Sequence, residues 1–189
     1  MPHQETTPRD LRNYTVRTVG SEYIPSLKQP EKQILWVGCC DSSFKETGVF
    51  SLLPDELLEH RNLGNMILDG DLSCETSVKH AVIDLQVKHI VVCGHYGCGI
   101  VRTGSGQGLA EPWLSKLEAL RATQSPSVDQ LSPTQRDRSY VELNVLEQLR
   151  SLRKYPEVAG AIKRGKLQIH GIVYDSASEK AHLVSEEAM

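Results

Sequence analysis

Ile34-Leu35-Trp36-Val37-Gly38-Cys39-Cys40-Asp41-Ser42-Ser43 and Ile90-Val91-Val92-Cys93-Gly94-His95-Tyr96-Gly97-Cys98-Gly99 share one pattern. Each begins with an apolar run of buried-strand length and ends in residues suited to holding a metal. In an open α/β sheet, ligands bind beyond the carboxyl ends of the strands. Two thiolates and one imidazole drawn from these two strand ends make a Cys2His zinc set with one position left open. Catalytic zinc has that ligand count, whereas structural zinc is normally closed by a fourth protein ligand. The spacing of His95 and Cys98 lets one turn aim both at a single ion. Taken singly, either piece reads as well as a buried cysteine or a solvated histidine; together they point to metal.

Outward from these two stretches, the chain alternates strand and helix patterns. Phe44 to Leu53 reads as a loop or short helix ending near Pro54, Leu57-Leu58-Glu59-His60 as a strand, and Arg61 to Asn65 as a turn. Asp71 or Ser73 caps a helix running to about Gln86, with Val78, Ala81, Val82 and Leu85 on one face. Thr103 to Gly108 is rich in glycine but lacks the Gly-Lys-Ser/Thr ending of a phosphate loop, and reads as a flexible connection. Pro112 opens a helix through about Ala122, and residues 123–134 read as a surface loop. Ser139 to Arg153 is the most regular helix, with Leu143, Leu146, Leu149 and Leu152 as its stripe and Pro156 as its stop. A last strand from Leu167 to Tyr174 turns back in a hairpin to Ala181–Ser185. The expected architecture is therefore α/β, a mainly parallel β-sheet flanked by helices. Residues 1–30 are polar and proline-punctuated and read as an N-terminal arm; residues 31–189 form the metal-binding domain.

The 189-residue chain fits one domain with a proper core. A formal net charge of -3 and the lack of a basic stripe give no expectation of a nucleic-acid partner. Five cysteines, two of them adjacent at Cys39-Cys40, argue against a disulfide framework and for reduced thiols. No apolar run is long enough to predict a membrane span. Met1 to Gly20 has no signal-peptide core, and Glu5 and Asp10 interrupt Arg9, Arg12 and Arg17, so a cytoplasmic location is expected.

Five stretches carry a resemblance to a known family. Trp36 to Ser43, Arg61 to Asn65, Val92 to Gly99, Glu142 to Gln148 and Ile169 to Tyr174 resemble the β-class carbonic anhydrases, over roughly residues 31–175. The resemblance implies Zn2+ held by Cys39, His95 and Cys98, and reversible hydration of CO2 to bicarbonate. It also implies a subunit that forms a homodimer, with the active site at the subunit boundary, or a tetramer of paired dimers. Leu58, Leu63 and His80 match positions that line the substrate pocket, often from the partner chain, where more aromatic residues are usual. Gly99 falls with the substrate-binding residues, and so does Gln29 if one residue of slack is allowed. Trp36, Arg61 and Tyr174 match a non-catalytic bicarbonate site; the competing account makes the aromatics core residues and Arg61 a dimer salt bridge.

The departure from the family pattern is Ser43, where an arginine paired with Asp41 is usual. A guanidinium fork would hold that carboxylate bidentately and turn it away from the metal. Serine offers one shorter, neutral hydrogen bond, and nothing else in the sequence restrains Asp41, although Arg61 or Arg102 would serve if folding brought either one near. An unrestrained Asp41 is free to swing in as a fourth zinc ligand in a closed state. The expectation is a carbonic anhydrase of reduced activity, in which zinc acidifies its water enough for attack on CO2. Two alternatives stand beside it: a hydrolase of a CO2 analogue such as carbonyl sulfide or carbon disulfide, and a non-catalytic bicarbonate-binding dimer.

Overall fold

β2 (Ile34–Cys39) is buried along its whole length and β4 (His89–His95) along all but its first residue. That is the burial of central strands in a sheet covered on both faces. A computed structural model, which describes residues 14–103 and 111–186, places both inside one six-stranded sheet, as the middle pair of its four parallel strands. Its order is β1 (Tyr14–Val19), β6 (Lys180–Glu186), β5 (Gln168–Asp175), β4, β2 and β3 (Leu57–Asn62). The four strands from β5 to β3 run parallel, and β6 and β1 are antiparallel additions at one edge. The mainly parallel sheet and the closing hairpin are as expected. Residues 1–13 of the expected arm and the glycine-rich run from Gly104 to Gly108 lie outside the described residues.

Alternation along β2 sends Leu35, Val37 and Cys39 to one face and Ile34 and Trp36 to the other. Five helices cover the first face: α2 (Leu72–Lys79), α3 (Gly99–Thr103), α4 (Glu111–Val128), α5 (Pro133–Arg153) and α6 (Pro156–Lys163). The second face is closed by α1 (Glu46–Phe50) and by Tyr23 and Ile24 from the β1–β2 connection. That connection is fixed by buried Glu56, whose carboxylate accepts from Ser26 Oγ and from the N–H groups of Leu27, Lys28 and Leu53. α5 lies directly on β4 and β5 because both strands carry glycine at the crossing. A Cβ on Gly94 would meet Val145 at 2.9 Å, and one on Gly171 would meet Leu149 and Val145 at 2.9 Å.

The structure departs from expectation in five places. Residues 14–19, expected in the arm, form the edge strand β1; four of its six residues are exposed, so it carries no burial signal. Arg61 and Asn62 end β3 rather than open the turn. α4 continues to Val128, whose buried side chain anchors the last turn, and α5 already begins at Pro133, so only residues 129–132 of the expected 123–134 loop lie outside a helix. Pro156 opens α6 instead of merely stopping α5, since a first-turn residue needs no amide hydrogen. The helix capped by Asp71 also changes pitch, passing from α2 into a π-helical turn over His80–Asp84. Among the described residues no helix is long and apolar enough to cross a membrane.

Candidate metal centre

Cys39 ends β2, His95 ends β4, and Cys98 follows one turn later. Gly97, at φ +80°, supplies the left-handed step in that turn that a side-chain-bearing residue rarely takes. The parallel register sets Gly38 beside Cys93. The two strand ends are therefore adjacent, and the ligating atoms of Cys39, His95 and Cys98 all lie within 4.8 Å of one another. All three side chains are buried, with the two sulfurs 3.8 Å apart. His95 Nε2 is buried without a hydrogen-bond partner. An orphaned imidazole nitrogen beside two sulfurs fits a soft divalent ion, and the set leaves one tetrahedral position for another ligand.

The surroundings favour thiolate at Cys39. The neighbouring Cys98 thiol is the main cause, followed by the adjacent His95 imidazole and then the N–H groups of Asp41 (3.4 Å) and Gly64 (3.2 Å), which together hold Cys39 well below the usual thiol range against its burial. Cys98, facing the Cys39 sulfur from a buried position, is pushed up. Gly64 is itself held by α5: Asn144 Nδ2 donates to Gly64 O at 2.9 Å, and Gln148 bridges Asn144 Oδ1 and the N–H of Ile67. These buried polar residues interrupt an otherwise apolar helix stripe. That interruption is the sequence signal that could have assigned them to the centre.

Asp41 does not join the three candidate ligands. It is exposed, and its Oδ2 accepts from the N–H of Gly99 at 2.7 Å. A Cβ on Gly99 would meet the same oxygen at 3.3 Å. Contrary to the expectation from sequence, Asp41 is thus restrained, by a backbone amide rather than a guanidinium. Ser43 is exposed and makes no bond to Asp41. Arg61 does not substitute, because its guanidinium is committed to Cys39 O (2.7 Å), Ser42 Oγ (2.8 Å), Phe44 O (3.2 Å) and the buried Glu46 carboxylate.

The remaining expected residues divide into four places. Leu63 directly precedes Gly64 at the centre, partly exposed, with its carbonyl held by Trp113 Nε1. Leu58 and His80 lie apart from it, since Leu58 pairs with Leu35, four residues before Cys39. They line a groove of about 500 Å³ with Leu72, Ser73, Thr76 and Ser77, and His80 is bonded to Asp84. Gln29 is exposed in the connection before β2, ahead of the strand end opposite Cys39. Trp36 and Tyr174 join the apolar cluster on the opposite face, where Tyr174 stacks on Phe44 at 4.4 Å and Arg61 lies 5.9 Å from the same ring. Trp36 Nε1 is buried there without a partner.

A second group, His60, Asp71 and Cys74, also gathers within 4.8 Å. Both ring nitrogens of His60 already face partners, Ser77 Oγ and Asn62 Nδ2, each at 3.3 Å. That leaves no free lone pair comparable to His95 Nε2, and the group reads as a packed polar cluster.

Comparison with known proteins matches the model of the carbonic anhydrase family to residues 34–181. A carbonic anhydrase of Emericella nidulans is 34% identical over 148 residues, 76% of this chain and 65% of that protein. A carbonic anhydrase of Candida albicans is 29% identical over 150 residues, 76% of this chain and 53% of that protein. The chain thus spans about half to two thirds of the length of these relatives. Among solved structures, the wild-type β-carbonic anhydrase CafD of Aspergillus fumigatus superposes with a TM-score of 0.81 at 43% identity, covering 89% of this chain and 98% of that one. The tetrameric β-carbonic anhydrases of Sordaria macrospora give a TM-score of 0.76 at 29% identity, covering 84% and 82%.

Proposed function

The chain belongs to the carbonic anhydrase family, and on that premise we propose that it is a β-class zinc enzyme interconverting CO2 and bicarbonate, slowed by Ser43. The observation that carries the proposal is the gathering of Cys39, His95 and Cys98 at two strand ends, with His95 Nε2 buried and unpartnered. When bound there, zinc supplies the Lewis acidity that makes a nucleophile of water near neutral pH. The chain's own residues do the rest. The amides of Asp41 and Gly64 steady the Cys39 sulfur, and Asn144 fixes Gly64 from below. Gly99 holds one oxygen of Asp41 and leaves the other to orient a water proton at the mouth of the site. With Ser43 in place of an arginine, that carboxylate has one neutral donor where a charged, bidentate partner would give it a fixed direction.

We propose further that the working form is a homodimer or tetramer. Leu58, Leu72 and His80 line an open groove away from their own centre, and Leu72 is 74% exposed. A second copy covering the groove would carry these residues to the partner's centre and bury that apolar surface.

Metal analysis and gas assays test the proposal together. Purified protein should hold one zinc per chain, Cys98→Ala should lose it, and the zinc-loaded protein should hydrate CO2 in a stopped-flow indicator assay. Substoichiometric zinc in carefully prepared protein, or retention of zinc by Cys98→Ala, would sink the metal assignment. Turnover of carbonyl sulfide or carbon disulfide without CO2 hydration would move the chain to the analogue hydrolases. Bicarbonate binding without any turnover would make it a binding protein.

A further inference from the structure

Between the ligands His95 and Cys98 lies Tyr96, and two residues of α5 hold its side chain. Its hydroxyl donates to Glu142 Oε1 at 2.6 Å, and its ring lies 3.6 Å beneath the Arg138 guanidinium. Glu142 and Arg138 sit one turn apart on α5. Arg138 is steered in turn by Asp175, which ends β5, at 3.3 Å. The backbone N–H of Tyr96 donates to Tyr174 O at 3.0 Å. The Glu142 carboxylate is buried, and its second oxygen accepts from Tyr14, the first residue of β1, at 2.6 Å. One buried carboxylate thus joins the sheet's outermost strand to the loop that carries two of the three ligands. Chemistry at the centre uses none of these side chains.

We propose that Glu142 is a positioning residue for the metal loop, holding His95 and Cys98 in register with Cys39 through Tyr96, with Tyr14 of β1 as its counterweight. The proposal rests on zinc binding at those three ligands. Partners one step removed from metal ligands characteristically change metal affinity by about 10–100-fold when removed. Two short bonds to one carboxylate make Glu142 sensitive to the loss of either donor, because the oxygen left behind is buried and unpaired.

The test is the rate of zinc release from the loaded protein to a chromogenic chelator, read beside thermal stability. Tyr96→Phe removes only the hydroxyl from the loop side and should speed release about tenfold. Tyr14→Phe unpairs the same carboxylate from the far side without touching the loop, and should speed release by a smaller factor. Val158→Ala, a cavity in α6 at a fully buried site, controls for lost stability and should leave release unchanged. Release from both tyrosine variants at the native rate, or no faster than from Val158→Ala at matched loss of Tm, would overturn the positioning role. Failure of the native protein to bind zinc would instead overturn the zinc assignment, so the two failures are distinguishable.

Discussion

Ser43→Arg should raise CO2 hydration at least about tenfold, and the size follows from what Asp41 lacks. The carboxylate now accepts one backbone bond, from Gly99 at 2.7 Å, and Arg61 is spent on Cys39 O, Ser42, Phe44 and Glu46. No cation is bonded to it among the described residues. A hydrogen bond to a charged group contributes about 1.5–3 kcal/mol, and the exposure of Asp41 argues for the lower end. At about 1.4 kcal/mol per decade in rate, that end corresponds to about tenfold. The gain should appear in kcat with KM little changed, since the restraint acts on proton placement rather than on CO2 binding. Stopped-flow assays on the native protein, Ser43→Arg, Asp41→Ala and the double variant form a cycle. Asp41→Ala should cost far less in the native background than in Ser43→Arg, where it should abolish the gain. An unchanged rate in folded, zinc-loaded Ser43→Arg would refute the limiting role of position 43. So would a gain that survives Asp41→Ala, because the added charge would then be acting elsewhere.

Three further outcomes follow from the fold. Burial, and then the charge of the adjacent His89, push His170 down to about 4 from an unfolded value near 6.5. The folded state therefore resists protonation, so its stability is complete above pH 6.5 and falls by about 3 kcal/mol as pH drops to 4. Urea unfolding should show a flatter pH dependence for His170→Gln than for the native protein; equal slopes would contradict the assignment. Gly171→Ala places a Cβ 2.9 Å from Leu149 and Val145 and should cost about 1–3 kcal/mol by forcing α5 off the sheet, several degrees in Tm. Gly48→Ala, with open space around it, should leave Tm unchanged or higher, and equal losses at both sites would refute the close-packing account. Light scattering at micromolar concentration should give a dimer or tetramer mass, falling to monomer for Leu72→Glu; a monomer mass for the native protein would defeat the assembly.

The apolar runs at 34–37 and 90–93, the residues that end them and the leucine stripe of α5 are local patterns, and they determined the parallel sheet, the strand ends that gather Cys39 and His95, and the helix lying across it. Cys39, His95 and Cys98 were nominated by residue type together with their place after two apolar runs, their spacing and the family resemblance, because few residue types hold zinc. Tertiary structure decided what depends on backbone groups and on pairings distant in sequence. The donor that restrains Asp41 is the amide of Gly99, 58 positions away, and every residue except proline carries such an amide. Whether Arg61 served Asp41 or Glu46 depended on which carboxylate folding brought to its fork. β1 showed no burial pattern because a mostly exposed edge strand takes its place from ladder bonds to β6. Glu142 read as one member of a family motif until Tyr14 and Tyr96 were seen to share its carboxylate across a separation of 128 and 46 residues. A sequence displays the chemistry each residue can perform; which partner it performs it with is fixed only when the chain closes in three dimensions.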